Sequence, residues 1–315
     1  MKVIEKLNNA KNPLISIEIV PPPRGRTVKD LTDIVEKLLP LNPAWIDVTA
    51  HASHADLIEQ EDGSFQRRIS RKRPGTIGIC GVIQNRFKID TVAHILCLGF
   101  TKEETEDALI ELNYLGVENI LALRGDYPNF EKRVSKDRSV NHQAYELVQQ
   151  VKDLKTGKFL QELEGSLPLD FCVGVAGYPE KHQESPNLMT DINYMKHKVE
   201  SGADYIVTQM FFDNKHFYNY KAECLKNNIT APIVPGLKII RNLSQISRVP
   251  KTFHVDLPES LSEEILKNPK HVQEIGIQHC INQCRDLLEN KAPVLHFYVM
   301  NDASQVVKVI KALGL

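Results

Sequence analysis

Short apolar runs alternate with longer amphipathic segments from one end of the chain to the other. This order is typical of βα units that surround a parallel sheet. The predicted strands are residues 14–20, 45–49, 90–96, 119–123, 171–176, 205–209, 233–237 and 294–298. The predicted helices are residues 28–39, 77–87, 102–115, 141–155, 187–201, 215–227, 273–289 and 303–313. The eight strands favour an α/β protein that forms a single (β/α)8 TIM barrel over residues 1–315.

Three stretches of the chain leave alternatives open. Residues 75–83 fit either a strand or a helix, and we predict a helix because the pattern continues to Phe87 and a strand here would be the ninth. Residues 127–140, which are charged, and residues 250–269, which contain Pro258, are either lids over a site or ordinary surface variation. No Ser/Gly-rich linker divides the sequence, so we expect one domain without a regulatory domain.

The composition narrows the class of protein. The hydrophobic share of 42% and the charged share of 25% are those of a water-soluble globular chain. The formal net charge of −1 gives no overall attraction for nucleic acid or an anionic membrane, and no apolar run approaches the roughly 18 residues that span a bilayer. The N-terminus lacks a signal-peptide core, and the six cysteines form no regular framework. We therefore expect a cytoplasmic protein with small-molecule partners.

The first candidate for chemistry lies on the first predicted strand. In a barrel, the active site lies at the carboxyl ends of the strands. Glu18 stands between Ile17 and Ile19 on a strand that stops at three prolines. A carboxylate beside the barrel interior is costly unless it is paired, protonated or used. Either a structural ion pair or a functional acid explains Glu18, and we favour the functional acid.

Two other strand ends carry polar groups. The fourth strand runs into Arg124, Gly125 and Asp126, where the glycine lets the backbone approach a ligand, although a plain turn is the alternative. The sixth strand ends in Gln209, followed closely by Phe211 and Phe212. An amide and an aromatic ring suit a flat heteroaromatic ligand, whereas filling of the core is the competing interpretation.

Other kinds of site fit the sequence less well. His51, His54 and Asp56 follow the second strand, but further ligands at metal-binding spacing are absent nearby, so we expect no metal. No GxGxxG follows a predicted strand, and no Walker-type loop is present, which argues against a Rossmann site.

Taken together, these segments resemble the methylenetetrahydrofolate reductases over nearly the full chain. The resemblance rests on segments that occur in the order of the family. They are SIEIVPP at 16–22, DVT at 47–49, LALRGD at 121–126, GYPEKH at 177–182, Lys198 with Gly202 and Ala203, TQMFFD at 208–213, IVPG at 233–236 and HFY at 296–298.

The resemblance implies an enzyme that holds FAD at the barrel mouth and reduces 5,10-methylenetetrahydrofolate to 5-methyltetrahydrofolate. NADH or NADPH and the folate would use the flavin in turn, in a ping-pong scheme. Glu18 matches the catalytic acid, which supplies a proton as the methylene bridge opens at N10 and leaves an N5-iminium that accepts hydride. Asp126 matches the carboxylate that holds the amino-pyrimidine edge of the pterin near the flavin. Gln209 matches a pterin-binding residue, and Phe211 is expected to pack on the substrate.

The resemblance also implies a set of FAD contacts. Lys198 suits a phosphate by its charge, and Asp191 suits a ribose by its hydrogen-bonding capacity. His94, without the resemblance, is equally well a histidine of the core. The matched positions are Thr49, Ala52, His94, Arg124, Gly125, Asp126, Ala144, Tyr178, His182, Asp191 and Lys198.

The sequence departs from some family members around the site. Ala50 stands where some carry a tyrosine, Tyr194 and His197 where some place an asparagine and an arginine, and Asp302 where a relative has a substrate-binding arginine. The choice between NADH and NADPH, and the contact to the folate tail, therefore stay open. Two alternatives remain, a folate reductase with a protein electron donor and a flavin- or folate-binding subunit without turnover. Like many such barrels, the chain is expected to be a homo-oligomer.

Overall fold

The strands form where isoleucine, valine and leucine run almost without interruption, because a barrel strand is covered on both faces. On the first strand, Ile15, Ile17 and Ile19 are buried against the surrounding helices. Ser16 faces the interior of the barrel, where its side chain contacts His296. These features are those of a computed structural model of the chain, which describes residues 1–127, 130, 132, 134–300 and 302–315.

Strands and helices alternate along much of the described chain, except for the pairs β3–β4 and β9–β10 and the run of helices α8 to α10. The strands are β1 (Leu14–Ile19), β2 (Trp45–Val48), β3 (His54–Glu59), β4 (Phe65–Ser70), β5 (Thr91–Leu96), β6 (Asn119–Leu123), β7 (Cys172–Gly177), β8 (Tyr205–Thr208), β9 (Ile233–Val234), β10 (Gly236–Leu237) and β11 (Val294–Met300). The α-helices are α1 (Val3–Asn9), α2 (Val28–Leu38), α3 (Thr76–Val82), α4 (Lys102–Tyr114), α5 (Ala144–Lys155), α6 (Leu188–Glu200), α7 (Asn214–Lys226), α8 (Gln245–Phe253), α9 (Glu259–Lys267), α10 (Val272–Glu289) and α11 (Ser304–Leu313).

The barrel strands pair in parallel, and together they form one sheet that curves into a barrel. The order is β11, β1, β2, β5, β6, β7, β8 and β9, and β10 returns to β11. Strands β9 and β10 belong to one segment that is divided at Pro235, which has no N–H to donate. The Pro235 carbonyl oxygen instead accepts a hydrogen bond of 3.2 Å from the His296 N–H. The predicted (β/α)8 barrel is confirmed.

Helix α1 closes the amino-terminal end of the barrel. Its buried Val3 and Leu7 pack with Trp45, Tyr205 and other residues inside the barrel. The Val3 N–H also donates a hydrogen bond of 2.7 Å to Asn119 Oδ1. We did not predict this short helix. With this end filled, the space for a ligand lies at the carboxyl ends of the strands.

Two of the three regions that the sequence left open, residues 75–83 and 250–269, have defined secondary structure. Residues 76–87 are helical, as predicted, with α3 followed by a π-helical turn at Ile83–Phe87. The insertion at 250–269 is not a structureless loop, because its apolar positions build the end of α8 and all of α9. Val249, Leu261 and Ile265 pack with Met210 and Phe212. Within the other insertion, positions 128, 129, 131 and 133 lie outside the described residues, so the choice between a lid and surface variation at 127–140 stays open.

A hairpin that we did not predict follows β2. Strands β3 and β4 pair with each other in antiparallel register, from His54 opposite Ser70 to Glu59 opposite Phe65. The hairpin leaves Leu57 and Phe65 exposed. Among the described residues, no helix combines the length and the apolar character needed to cross a membrane.

Candidate active site

A cavity of about 1000 Å³ opens at the carboxyl ends of the barrel strands. Glu18 on β1 and Asp126 after β6 are far apart in the sequence, and both line this cavity. The predicted site residues that line the cavity are Glu18, Thr49, Ala52, His94, Arg124, Gly125, Asp126, Ala144, Tyr178, His182, Asp191, Lys198 and Gln209. The loops after most barrel strands therefore contribute to one site.

Glu18 lies at the floor of this cavity. Register places it beside Asp47 on β2 and beside Tyr298 on β11. Its side chain is 13% exposed, and the nearest imidazole nitrogen, His94 Nε2, is 3.6 Å from Glu18 Oε2. Burial raises the pKa of Glu18 to about 7, against the opposing attraction of His94 and with further help from the negative charge of Asp47. Glu18 is therefore an acid that still carries its proton near neutral pH.

A group of buried polar side chains lies below Glu18 inside the barrel. Asp47 Oδ1 is 3.6 Å from His94 Nε2, and Asp47 Oδ2 is 3.8 Å from His296 Nδ1. His296 Nδ1 also forms a hydrogen bond of 2.9 Å with Ser16 Oγ. Burial raises the pKa of Asp47 to about 6, and burial lowers the pKa of both histidines. A neutral His94 thus lies between two carboxyl groups that both resist ionisation, and a neutral His296 lies beside Asp47.

Asp47 and His296 were part of the family resemblance but were not predicted as site residues. A sequence signal was present, since each is a polar residue inside an apolar strand, as Glu18 is. Lys238 was missed as well. It follows β10, lines the cavity and is only 8% exposed. Its strand ends after two residues, so alternation gave no indication of where its side chain would lie.

The opposite wall of the cavity carries Lys198 on α6. Lys198 Nζ donates a hydrogen bond of 2.8 Å to the Ala176 carbonyl oxygen and lies 5.9 Å from the centre of the Tyr178 ring. Burial lowers the pKa of Lys198 to about 8, and the nearby Asp191 partly offsets this. Asp191 Oδ1 accepts a hydrogen bond of 3.0 Å from Ser185 Oγ. This wall offers a half-buried cation and a buried carboxylate side by side.

Three further residues of the predicted set, Arg124, Gly125 and Thr49, line the cavity. Arg124 Nη1 forms an ion pair of 2.6 Å with Glu184 Oε2, and its guanidinium lies 5.2 Å from the centre of the Tyr127 ring. Gly125 has a φ of +82°, so the turn before Asp126 requires a residue without a side chain. Thr49 Oγ1 is buried and has no hydrogen-bond partner among the described residues.

Phe211 is not at the cavity, and its assignment as a substrate contact was wrong. The chain turns after β8 towards α7, and this turn carries the ring behind the barrel wall. Phe211 is fully buried and stacks on Phe217, with ring centres 5.3 Å apart. Met210 lines the cavity instead. The structure supports the competing interpretation, in which Phe211 fills the hydrophobic core.

Of the residues considered for a metal, His54 and Asp56 lie on β3 of the hairpin, whereas His51 lines the cavity. His54 Nε2 is 3.6 Å from Asp56 Oδ1 across one face of β3. Another group, Glu180, His216 and Asp256, holds its potential ligand atoms within 4.8 Å of one another. Glu180 Oε2 already accepts a hydrogen bond of 2.6 Å from the Asp256 N–H, and Asp256 is exposed. This group ties the loop after β7 to the segment after α8.

Comparison with known proteins identifies a family that spans nearly the whole chain. The family model described as methylenetetrahydrofolate reductase matches residues 3–314. A probable methylenetetrahydrofolate reductase (NADPH) of Caenorhabditis elegans is 30% identical over 99% of the chain and 44% of the relative. A probable methylenetetrahydrofolate reductase (NADH) of Oryza sativa is 29% identical over 100% of the chain and 51% of the relative. The chain thus spans about half the length of these curated relatives.

A bacterial relative and two solved structures complete the comparison. The 5,10-methylenetetrahydrofolate reductase of Buchnera aphidicola is 30% identical over 100% of the chain and 96% of the relative. A Clostridium thermocellum protein that binds two copies of 5-methyl-5,6,7,8-tetrahydrofolic acid matches with a TM-score of 0.58 at 12% identity, over 98% of both chains. A 2,3-dimethylmalate lyase matches with a TM-score of 0.51 at 9% identity, over 99% of the chain and 82% of the lyase. These two structures bear on the fold alone, whereas the family model covers almost every residue. The chain belongs to the methylenetetrahydrofolate reductase family.

Proposed function

We propose that the chain reduces 5,10-methylenetetrahydrofolate to 5-methyltetrahydrofolate as a flavoenzyme, with NADH or NADPH as the reductant. The observation that carries the proposal is that Glu18, Asp126 and Gln209 line a single cavity. A buried proton donor, an exposed carboxylate and an amide are the groups needed to protonate, hold and orient a pterin. Relatives named for NADPH and for NADH support the class of reductant.

The cavity fits FAD by the chemistry of its walls. Lys198 gives a half-buried cation for a phosphate, and the neighbouring Asp191 accepts hydrogen bonds as a ribose requires. The buried Thr49 Oγ1 is available for a polar edge of a ring system. Leu96 and Val207 supply apolar lining. When bound, FAD supplies the hydride carrier between the nicotinamide nucleotide and the folate.

Glu18 supplies the proton in this proposal. Opening of the methylene bridge leaves a negative charge on N10 of the folate unless a proton arrives, and a carboxylic acid near this nitrogen provides it. A pKa of about 7 is near the pH at which the enzyme would work, so the group can both hold and release the proton. The buried Asp47 assists, because its negative charge favours the protonated form of Glu18.

Asp126 and Gln209 hold the substrate. Asp126 is exposed at the cavity mouth, where its two oxygens can accept a pair of charge-assisted hydrogen bonds from the amino-pyrimidine edge of a pterin. Gln209 Oε1 accepts a hydrogen bond of 2.9 Å from the Met210 N–H, which fixes the amide and leaves its N–H groups for the ligand. Fixed donors and acceptors orient the reacting carbon without a further loss of side-chain entropy on binding.

The remaining expectations are part of the same proposal. One catalytic barrel over residues 1–315, in the cytoplasm, is consistent with six cysteines that are all buried and free. The two substrates would occupy the cavity in turn, since a single cavity at the strand ends contains all the proposed catalytic and binding groups.

The test of the proposal is the reaction itself. The purified protein should be yellow, should be bleached by NADH or NADPH without oxygen, and should then form 5-methyltetrahydrofolate from the methylene substrate, measured by mass spectrometry. Bleaching by dithionite but by neither nucleotide would point to a protein electron donor. A protein that takes up no FAD, or that forms no methyl product, would refute the proposal.

A further inference from the structure

Lys238 is a buried cation at the cavity to which neither the family resemblance nor the proposed function gives a task. It follows β10 directly and is 8% exposed. It lines the same cavity as Glu18, Gln209 and Tyr298. Its position is therefore inside the barrel mouth rather than on the outer surface, where most lysines lie.

The ammonium group of Lys238 has no carboxylate at ion-pair distance in the described part of the chain. Its hydrogen-bond partner there is the Tyr298 carbonyl oxygen, at 3.5 Å, which is the long limit of such a bond. The exposed Asp302 lies 3.7 Å from Arg241 and so pairs with a different cation. A buried ammonium without a counter-charge is costly, because it has given up its hydration without an equivalent partner.

The charges around Lys238 make an anion more favourable there. Arg241 and Arg248 act on it with the same sign, and Glu18 is the carboxyl group that acts with the opposite sign. Burial and these arginines lower the pKa of Lys238 to about 8, so at pH 7 it is still mostly charged. Glu18, however, must be protonated and neutral to act as an acid. In the state that reacts, Lys238 is left without compensation from the protein.

We propose that the Lys238 ammonium binds an anionic oxygen group of a substrate in this cavity and thereby selects substrates that carry one. The inference rests on the proposed function, which brings two anionic molecules to the site. The group is either a glutamyl carboxylate of the folate or a phosphate of the nicotinamide dinucleotide. Lys238 is a binding residue in this account, and the proton transfer belongs to Glu18.

The test compares Lys238→Met with Lys251→Met. Methionine keeps the length of the side chain and removes its charge, and Lys251 is an exposed lysine on the neighbouring α8. Binding to the FAD-loaded protein is measured by calorimetry with two pairs of ligands. One pair is 5-methyltetrahydrofolate and the dimethyl ester of its glutamate. The other is NADH, in the absence of folate, and dihydronicotinamide riboside, which lacks phosphates, both without oxygen and under reduced-flavin conditions that prevent turnover.

The expected result is a loss confined to one charged ligand. Lys238→Met should bind that ligand roughly 10- to 100-fold more weakly, the range for a hydrogen bond to a charged group, while its uncharged counterpart binds as before. Loss with the free folate identifies a carboxylate, and loss with NADH identifies a phosphate. Lys251→Met should match the wild type throughout. Equal binding of all four ligands by Lys238→Met and the wild type would overturn the inference.

Two further measurements keep the inference separate from its premises. Lys238→Met should melt at least as high as the wild type, because the variant no longer buries an uncompensated charge. If Lys238→Met does not fold, Lys238→Gln, which also removes the charge but keeps a polar end, takes its place in the same four titrations and should show the same selective loss. A folded variant of Lys238 that binds folate and NADH as the wild type does refutes only the role of Lys238. A wild-type protein that binds neither refutes the proposed function too.

Discussion

Burial and neighbours on several strands together set the pKa of Glu18. Asp47 comes from β2, His94 from β5 and Lys238 from the segment after β10, while Tyr298 lies beside it on β11. His94 and Lys238 favour the ionised form, whereas burial and Asp47 favour the acid, and burial is the largest contribution. Burial outweighs the two nearby bases because the histidine is itself driven to its neutral form.

The pH dependence of folate reduction follows from this balance. Glu18 gives a proton only from its acid form, whose fraction falls as the pH rises through a pKa of about 7. The rate of reoxidation of the reduced flavin by methylenetetrahydrofolate should therefore decrease about tenfold per pH unit above this value and level off below it. Reduction by the nucleotide should not share this decline. A reoxidation rate that is flat up to about pH 9 would contradict the assignment of the acid.

Asp126 acts on the substrate from the cavity mouth, and its removal should affect binding first. Asp126→Asn keeps the shape of the side chain but replaces one charged acceptor by an amide donor, so it should weaken binding of 5-methyltetrahydrofolate by roughly 10- to 100-fold. Turnover should slow as well. The measurement is a binding titration beside wild type, with FAD content as the control. Unchanged folate affinity would remove the proposed role.

Single residues differed in how far the sequence revealed them. Glu18 was recognisable because a carboxylate between isoleucines has few structural explanations. Asp47 and His296 carry the same signal, yet their significance comes from register, which places residue 47 beside residue 18 and residue 296 beside residue 16. Phe211 was wrong because its direction depends on how the chain turns after β8, which the local pattern does not state.

At the scale of elements, the segment that closes the barrel depends on one glycine. A Cβ at Gly236 would lie 2.2 Å from the Thr208 carbonyl oxygen and 2.7 Å from the Tyr298 ring. The oxygen cannot move away freely, because it accepts a hydrogen bond of 2.6 Å from the Tyr298 hydroxyl. The closure between β8 and β11 is therefore possible only with no side chain at this position.

Gly236→Ala should destabilise the barrel by about 1–3 kcal/mol or more, as overpacking against fixed atoms does. The measurement is the free energy of unfolding in urea. Gly78→Ala is the matched control, since it lies in α3 with no heavy atom within 4 Å of the added Cβ, and alanine is the better helix former. An unchanged stability for Gly236→Ala would show that the barrel closes differently here.

The β3–β4 hairpin should be dispensable for folding. Its strands pair with each other rather than with the barrel, and its exposed apolar side chains lend the core little support. Replacement of residues 55–69 by a short glycine-containing turn should change the melting temperature by less than about 3 °C, because less than about 1 kcal/mol is lost. Phe65→Ser is a milder control for the exposed face. A protein that no longer folds without the hairpin would contradict this account.

The barrel strands were predicted well because each is a buried apolar run with a helix after it. The elements that were missed lack such a pattern. Helix α1 has seven residues, β3 and β4 alternate weakly, and α8 contains Pro250, which disguises a helix in the sequence. Tertiary packing decides these elements, as it does for α9, whose Leu261 and Ile265 are buried beside Phe212.

At the scale of the whole molecule, the barrel concentrates its polar side chains at one end. Helix α1 and apolar side chains fill the amino-terminal end, and the cavity of about 1000 Å³ opens at the other. Residues far apart in the sequence, such as 18, 126, 209 and 238, meet there because parallel strands all end on the same side. From the sequence alone, the convergence of these residues could be predicted only after the barrel fold had been inferred.

The central claim is that Glu18 donates the proton for folate reduction and takes no part in the reduction of the flavin. Anaerobic stopped-flow measurements separate the two half-reactions in Glu18→Gln and in the wild type. The account predicts that the variant keeps its FAD and is reduced by NADH or NADPH at the wild-type rate, while methylenetetrahydrofolate reoxidises it roughly 10²- to 10⁴-fold more slowly. Reoxidation of Glu18→Gln by the folate at the wild-type rate would contradict the account.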